Sequence, residues 1–205
     1  MVFSQPKLNL VIGTGYYNPK IETTDPIPKI GFVGKNLLLN WGMRYQIYPN
    51  VRIGYSQSHS LHFGSIGSSN YRRNISYRSI SFETFYLMKE KIELNFSLAP
   101  MLNKGSVKIS AKAPTNDWDS FLSAYGNSSV SLETGSSMTK RWVGFSSHMG
   151  CRYYFSRLIS LEGQLGYFMS SYSDKNWKLE GEKVNGPPMK IGRLPVLQIN
   201  LVVGI

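Results

Sequence analysis

Along most of this chain apolar side chains occupy every second position, in segments about ten residues long, which is the repeat of a β-strand whose two faces meet different surroundings. The clearest segment is Lys35 to Tyr48. Leu37, Leu39, Trp41, Met43, Tyr45 and Ile47 alternate there with Asn36, Leu38, Asn40, Gly42, Arg44 and Gln46. Pro49-Asn50 follows as a tight turn, because proline presets its φ. Val51, Ile53 and Tyr55 then open the next strand. Helical periodicity is nearly absent, so any fold must be built from strands.

The same hairpin recurs twice. Ile80, Phe82, Thr84 and Tyr86 lead through Lys89-Glu90-Lys91 to Ile92, Leu94, Phe96 and Leu98. Val143 to Phe155 leads through Ser156-Arg157 to Ile159, Leu161, Leu165, Tyr167 and Met169. A first strand, Leu8 to Tyr17, and a last, Leu194 to Ile205, flank these hairpins and bring the count of candidate strands to eight. Connections are short at Pro49, Lys89 and Ser156, and long at Asn18–Gly34, His59–Asn74, Asn103–Ser137 and Ser171–Arg193.

Short and long connections alternating on an even number of antiparallel strands resemble the small eight-stranded β-barrel superfamily of the bacterial outer membrane. The resemblance spans almost the whole chain and rests on pattern rather than on a diagnostic motif. It implies an all-β, closed, antiparallel, eight-stranded up-and-down transmembrane β-barrel over residues 7–205. Short turns and both termini would be periplasmic, and four long loops extracellular. Residues 1–6 are either the tail of a secretory leader or a solvated start.

The rival fold is a soluble eight-stranded barrel, which hides its large apolar residues inside and shows charge outside. Here the polar face carries Gly, Ser, Asn and a few charges, while the other carries Leu, Ile, Trp, Met, Tyr and Phe. Only 17% of residues are charged and 13% are aromatic, against roughly 25% charged in soluble domains. That chemistry favours the membrane reading. No apolar run approaches the roughly 18 residues that a spanning helix needs, and a single cysteine, Cys151, excludes a disulfide framework. The net charge of +11 invites a nucleic-acid reading. However, the cations are dispersed, no basic run exceeds a pair such as Arg72-Arg73, and no DNA-binding motif is present.

Three groups of residues stand out as candidate sites. Arg44, Arg52, Glu83, Glu93, Arg152 and Glu162 fall on the inward face near the short turns. There they can cancel one another as a lumen network, since an unpaired buried charge costs several kcal/mol. Lys35, Arg78, Lys104, Arg141 and Arg193 continue the outward phase to the far rim, at the height of lipopolysaccharide phosphates. In the third long loop Trp118, Phe121, Leu122 and Tyr125 lie at helical spacing, with Asn116 and Gly126 as caps. That stripe would cover the barrel mouth or dock on a partner.

Ser146 and His148 share a lumen-facing strand face, but no carboxylate is placed beside them, and His59 and His62 lack metal-ligand spacing. Gln57 breaks the outward apolar face, so its strand is expected to bulge or end there, or to touch another subunit. Tyr45, Tyr48, Tyr55, Tyr153 and Phe155 are expected in one aromatic girdle, and Tyr16, Trp142 and Tyr167 in the other.

The expected role is non-enzymatic: a structural or accessory subunit of an envelope complex that presents loops and contacts lipopolysaccharide. No cofactor, metal or nucleic acid is expected. The alternatives are a narrow channel for small or apolar solutes and a lipid-modifying enzyme.

Overall fold

A computed structural model describes residues 6–21, 37–66, 69–111, 137–179 and 181–205. Eight long strands form the wall: β1 (Leu8–Tyr17), β3 (Leu37–Tyr48), β4 (Val51–Ile66), β5 (Ser69–Lys89), β6 (Ile92–Ala111), β7 (Ser137–Tyr154), β8 (Ile159–Ser170) and β12 (Arg193–Gly204). Between them lie the short β2 (Lys20–Ile21), β9 (Trp177–Leu179), β10 (Glu182–Val184) and β11 (Met189–Lys190). Each wall strand pairs antiparallel with its chain neighbour, and β1 pairs with both β3 and β12. The eight wall strands therefore close into a barrel. At the Pro49-Asn50 turn the chain needs a left-handed residue, and Asn50 supplies it at φ 62°.

The faces are inverted relative to a soluble protein. Leu39, Trp41, Met43, Phe82, Phe96, Leu98, Met149, Leu165 and Ile199 are exposed. By contrast Arg52, Glu83, Glu93, Arg152 and Glu162 are buried. An exterior of this kind is stable only where the surrounding medium is itself apolar.

The wall is uneven in height. β4 to β7 have 16, 21, 20 and 18 residues, against 10 to 12 in β1, β3, β8 and β12. The stretch His59–Asn74, expected as a long loop, is mostly paired: His59↔Ser76, Leu61↔Asn74 and Phe63↔Arg72 continue the ladder. Nor does β4 bulge or end at Gln57, which pairs regularly with Trp41 and Arg78. Backbone pairing continues because both neighbours run beside it, and a polar side chain does not interrupt a backbone hydrogen-bonded ladder. The expected third loop likewise begins later, since β6 runs to Ala111.

Candidate functional site

From the short-turn end upward, the lumen is filled in three tiers. The lowest is ionic. Arg44 donates from Nη1 and Nη2 to Glu162 Oε1 and Oε2 at 2.7 and 2.8 Å, and lies 3.0 Å from Glu83. Arg52 donates to Glu83 at 2.8 Å and to both oxygens of Glu93 at 2.7 and 2.8 Å. Its guanidinium stacks 3.6 Å from the centre of the Phe85 ring. Arg152 donates to Glu162 at 2.9 Å and lies 3.5 Å from Glu93. Asn95, Asn200 and Tyr154 supply further donors, to Glu162 at 2.8 and 3.1 Å and to Glu93 at 2.6 Å. The three guanidiniums and three carboxylates thus form one charge-balanced cluster across six strands, β3 to β8.

Above it is a polar cavity of about 40 Å³, lined by Ser56, Ser58, Ser79, Ser97, Ser146 and His148 among others. A water needs roughly 10–15 Å³ by this measure, so the space suits a few waters and no larger solute. The His148 ring packs edge-on against Phe168 at 5.7 Å, and Nε2 has no partner among the described residues. Gly166, its register partner on β8, makes room for the ring. A Cβ there would lie 2.3 Å from His148 Cδ2 and 2.4 Å from the Ser147 carbonyl. Gly166→Ala is therefore expected to destabilise the barrel by about 1–3 kcal/mol, read from urea unfolding in lipid vesicles. A loss below measurement error would mean that the ring and the β7 backbone at Ser147 both give way freely.

The top tier is apolar. Tyr17, Tyr77 and Phe168 stack mutually with centroids 5.0 to 5.4 Å apart. Leu38, Ile75, Val107, Trp142, Trp177, Met189 and Ile191 join them in one buried cluster. Trp177, Met189 and Ile191 come from the last connection, which turns inward. β9 pairs with β7 through Met138↔Leu179, and β11 pairs with β2. Tyr172 ties the segment together, donating to the Pro187 carbonyl and accepting from Trp177 Nε1 at 3.2 Å. Burial pushes the Tyr172 hydroxyl up to about 12, so it stays a neutral donor.

Trp142 belongs to this interior, not to an outer girdle. It follows the outward Arg141 by one residue, so its side chain takes the opposite face, and it is 6% exposed. No sequence signal separated the Trp177, Met189 and Ile191 plug from ordinary loop, because these residues share no period. The stripe Trp118, Phe121, Leu122 and Tyr125 lies outside the described residues.

On the outer wall, Arg78, Lys104, Arg141 and Arg193 are all exposed, and Lys35 lies outside the described residues. The structure brings Lys104 and Arg141 together as direct register partners. Arg78 is paired with Leu102, two residues from Lys104 on the same face. Arg193, paired with Met169, stands on the opposite wall. Sequence reading missed Arg72 and Lys108, which also face outward as register partners above that group. Tyr55 donates to Gln57 Oε1 at 3.2 Å, and Gln57 Nε2 sits 2.7 Å from His59 Nε2. Gln57 was expected to interrupt the outward apolar face, but not its hydrogen bonds with Tyr55 and His59.

No protein-family model matches the sequence, and no relative is found among curated proteins. Solved structures do match in shape. Neisserial surface protein A superposes with a TM-score of 0.60 at 12% identity, covering 97% of both chains. A major outer membrane protein of Thermus thermophilus gives 0.59 at 8% identity, over 96% of this chain and 98% of that one. Ail, the attachment invasion locus protein of Yersinia pestis, gives 0.53 at 12% identity over 97% and 98%; it was crystallised with the heparin analogue sucrose octasulfate. Closed wall, inverted faces and these superpositions agree: the chain has the fold of the small eight-stranded outer-membrane β-barrels.

Proposed function

We propose that this chain is a non-enzymatic barrel of a bacterial outer membrane, a structural or accessory subunit of the envelope that presents its tall β4–β7 edge and contacts lipopolysaccharide. The short turns and both termini face the periplasm. The observation that carries the reading is the filled lumen inside an apolar exterior. A barrel stopped by an ionic cluster below and an aromatic plug above offers its outer surface, not its bore, for work. Ser146 and His148 line that lumen cavity, inside the wall and away from lipid, which disfavours lipid turnover. The exposed cations Arg78, Lys104 and Arg141 at the tall edge support anionic contact. The polyanion bound by Ail, on a barrel of the same fold, is in keeping with it.

The test is fractionation followed by purification in mild detergent. The chain is expected in the outer-membrane fraction, with other envelope proteins co-purifying, and with no stepwise conductance in planar bilayers. Discrete conductance steps would replace this reading with the channel, and lipid turnover lost on His148→Ala would replace it with the enzyme.

A further inference from the structure

The outward apolar belt is not level around the barrel. On β3 it runs from Ile47 up to Leu37, and on β6 from Ile92 up to Leu102. On β4, between them, only Val51, Ile53 and Tyr55 precede Gln57 and His59, and on β5 the belt stops at Ile80 below Arg78. One register row therefore reads Trp41, Gln57, Arg78, Leu102, Val143, with two polar side chains between apolar ones. The row above reads Leu39, His59, Ser76, Lys104, Arg141. Polar chemistry thus descends into the belt on β4 and β5, as a notch.

The notch is also one-signed. The outward positions of β4 to β7 among the described residues hold Arg72, Arg78, Lys104, Lys108 and Arg141, and no Asp or Glu. Two of the contacts are like-charge pairs placed directly opposite, Lys104↔Arg141 and Arg72↔Lys108. Direct cross-strand partners stand about 4.5–5.5 Å apart, where like charges repel. Arg78 lies diagonally from Lys104, about 7–8 Å away by sheet geometry. Such a wall is at ease only with an anion between its cations. At this height, flanked by Trp41 and Leu102, that anion must arrive on something with an apolar body.

We propose that the β4–β7 notch is a binding site for the phosphorylated headgroup of a single membrane lipid. Arg78 takes its deep phosphate, Lys104 and Arg141 take its outer one, and the Tyr55–Gln57–His59 chain, on the β4 side of Arg78, hydrogen-bonds the polar body beside the deep phosphate. Arg193, on the other wall, takes no part. The proposal rests on the lipopolysaccharide contact above and replaces a general basic rim with one built position.

The test uses the folded chain in zwitterionic detergent, with native mass spectrometry to count bound probe. The probes are the bisphosphorylated lipid anchor of lipopolysaccharide, its dephosphorylated form, and inorganic phosphate. The expected result is one bisphosphorylated lipid per barrel, with the dephosphorylated form bound at least about tenfold more weakly. Arg78→Gln, Lys104→Gln and Arg141→Gln combined should weaken binding by about tenfold or more, and Arg193→Gln by less than about twofold. Gln57→Leu with His59→Leu, which fills the notch while keeping every cation, should also weaken it by about threefold or more. Gel mobility of the folded form, compared with and without heating, confirms that each variant folds. Equal losses in the triple variant and Arg193→Gln would overturn the notch and leave a general rim. Displacement by inorganic phosphate alone would overturn the lipid as its source. Absence of any bound lipid in the unmodified chain would sink both this proposal and the contact on which it rests.

Discussion

Glu162→Leu should cost the folded barrel about 3–5 kcal/mol, the range for breaking a buried ion pair from one side. Glu162 accepts from Arg44, Arg152, Asn95 and Asn200, and is fully buried. Removing its charge leaves the cluster with three guanidiniums and two carboxylates, a net positive charge sealed between strands. Glu83 lies 3.0 Å from Arg44 and Glu93 lies 3.5 Å from Arg152, so neither cation is wholly abandoned. Neither remaining carboxylate can serve two guanidiniums bidentately, however. Urea unfolding in phospholipid vesicles, followed by tryptophan fluorescence, reads the loss. The sharper measurement is a double-mutant cycle with Arg44→Met. Removing both partners should cost less than the two single losses added, by about 1.5 kcal/mol or more. A single-variant loss under about 1 kcal/mol would mean that water reaches the cluster and screens it.

That cluster was legible in the sequence because three simple rules converge on it. Inward phase follows from a period of two, depth follows from counting residues above a short turn, and charge balance follows from the cost of burial. The eight wall strands were legible for the same reason, since Leu37 to Ile47 and Ile92 to Leu98 state their faces residue by residue. What escaped was structure set by neighbours rather than by period. His59 to Asn74 reads as a polar loop, yet its described residues, 59–66 and 69–74, are strand, because polar outward side chains do not interrupt pairing, which continues with β3 as far as Ser60 and among β4, β5 and β6 beyond it. Trp142 was assigned by residue type, since tryptophan favours interfaces, although its phase already put it opposite Arg141. Trp177, Met189 and Ile191 are buried by an inward fold of the last connection, which no local spacing announces. The notch was half visible. Gln57 was noticed as an interruption, but that Arg78 lies beside it, and Lys104 beside Arg141, depends on cross-strand register.

The second large effect belongs to the exterior. Leu165→Arg should destabilise the barrel by about 2–4 kcal/mol, while Val203→Arg should cost about 0–1 kcal/mol, because the cost of a lipid-facing charge falls from midplane to interface. Both side chains are exposed, at 62% and 36%, so burial within the protein predicts little cost at either position. Only the surrounding medium separates them. Leu165 stands mid-strand on β8, between Met149 and Leu197 on its neighbours, whereas Val203 lies beside Ile159 at the short-turn edge. In water each substitution would be neutral or would improve solubility, since it removes a greasy surface residue. Unfolding in vesicles therefore reads position in the bilayer directly. A marked loss at Leu165 with little at Val203 sets the belt in lipid. Equal small changes would take the exterior out of lipid altogether. The headgroup site on β4 to β7 would then lose its apolar anchor, whereas the cost of Glu162→Leu, which depends only on the closed lumen, would stand.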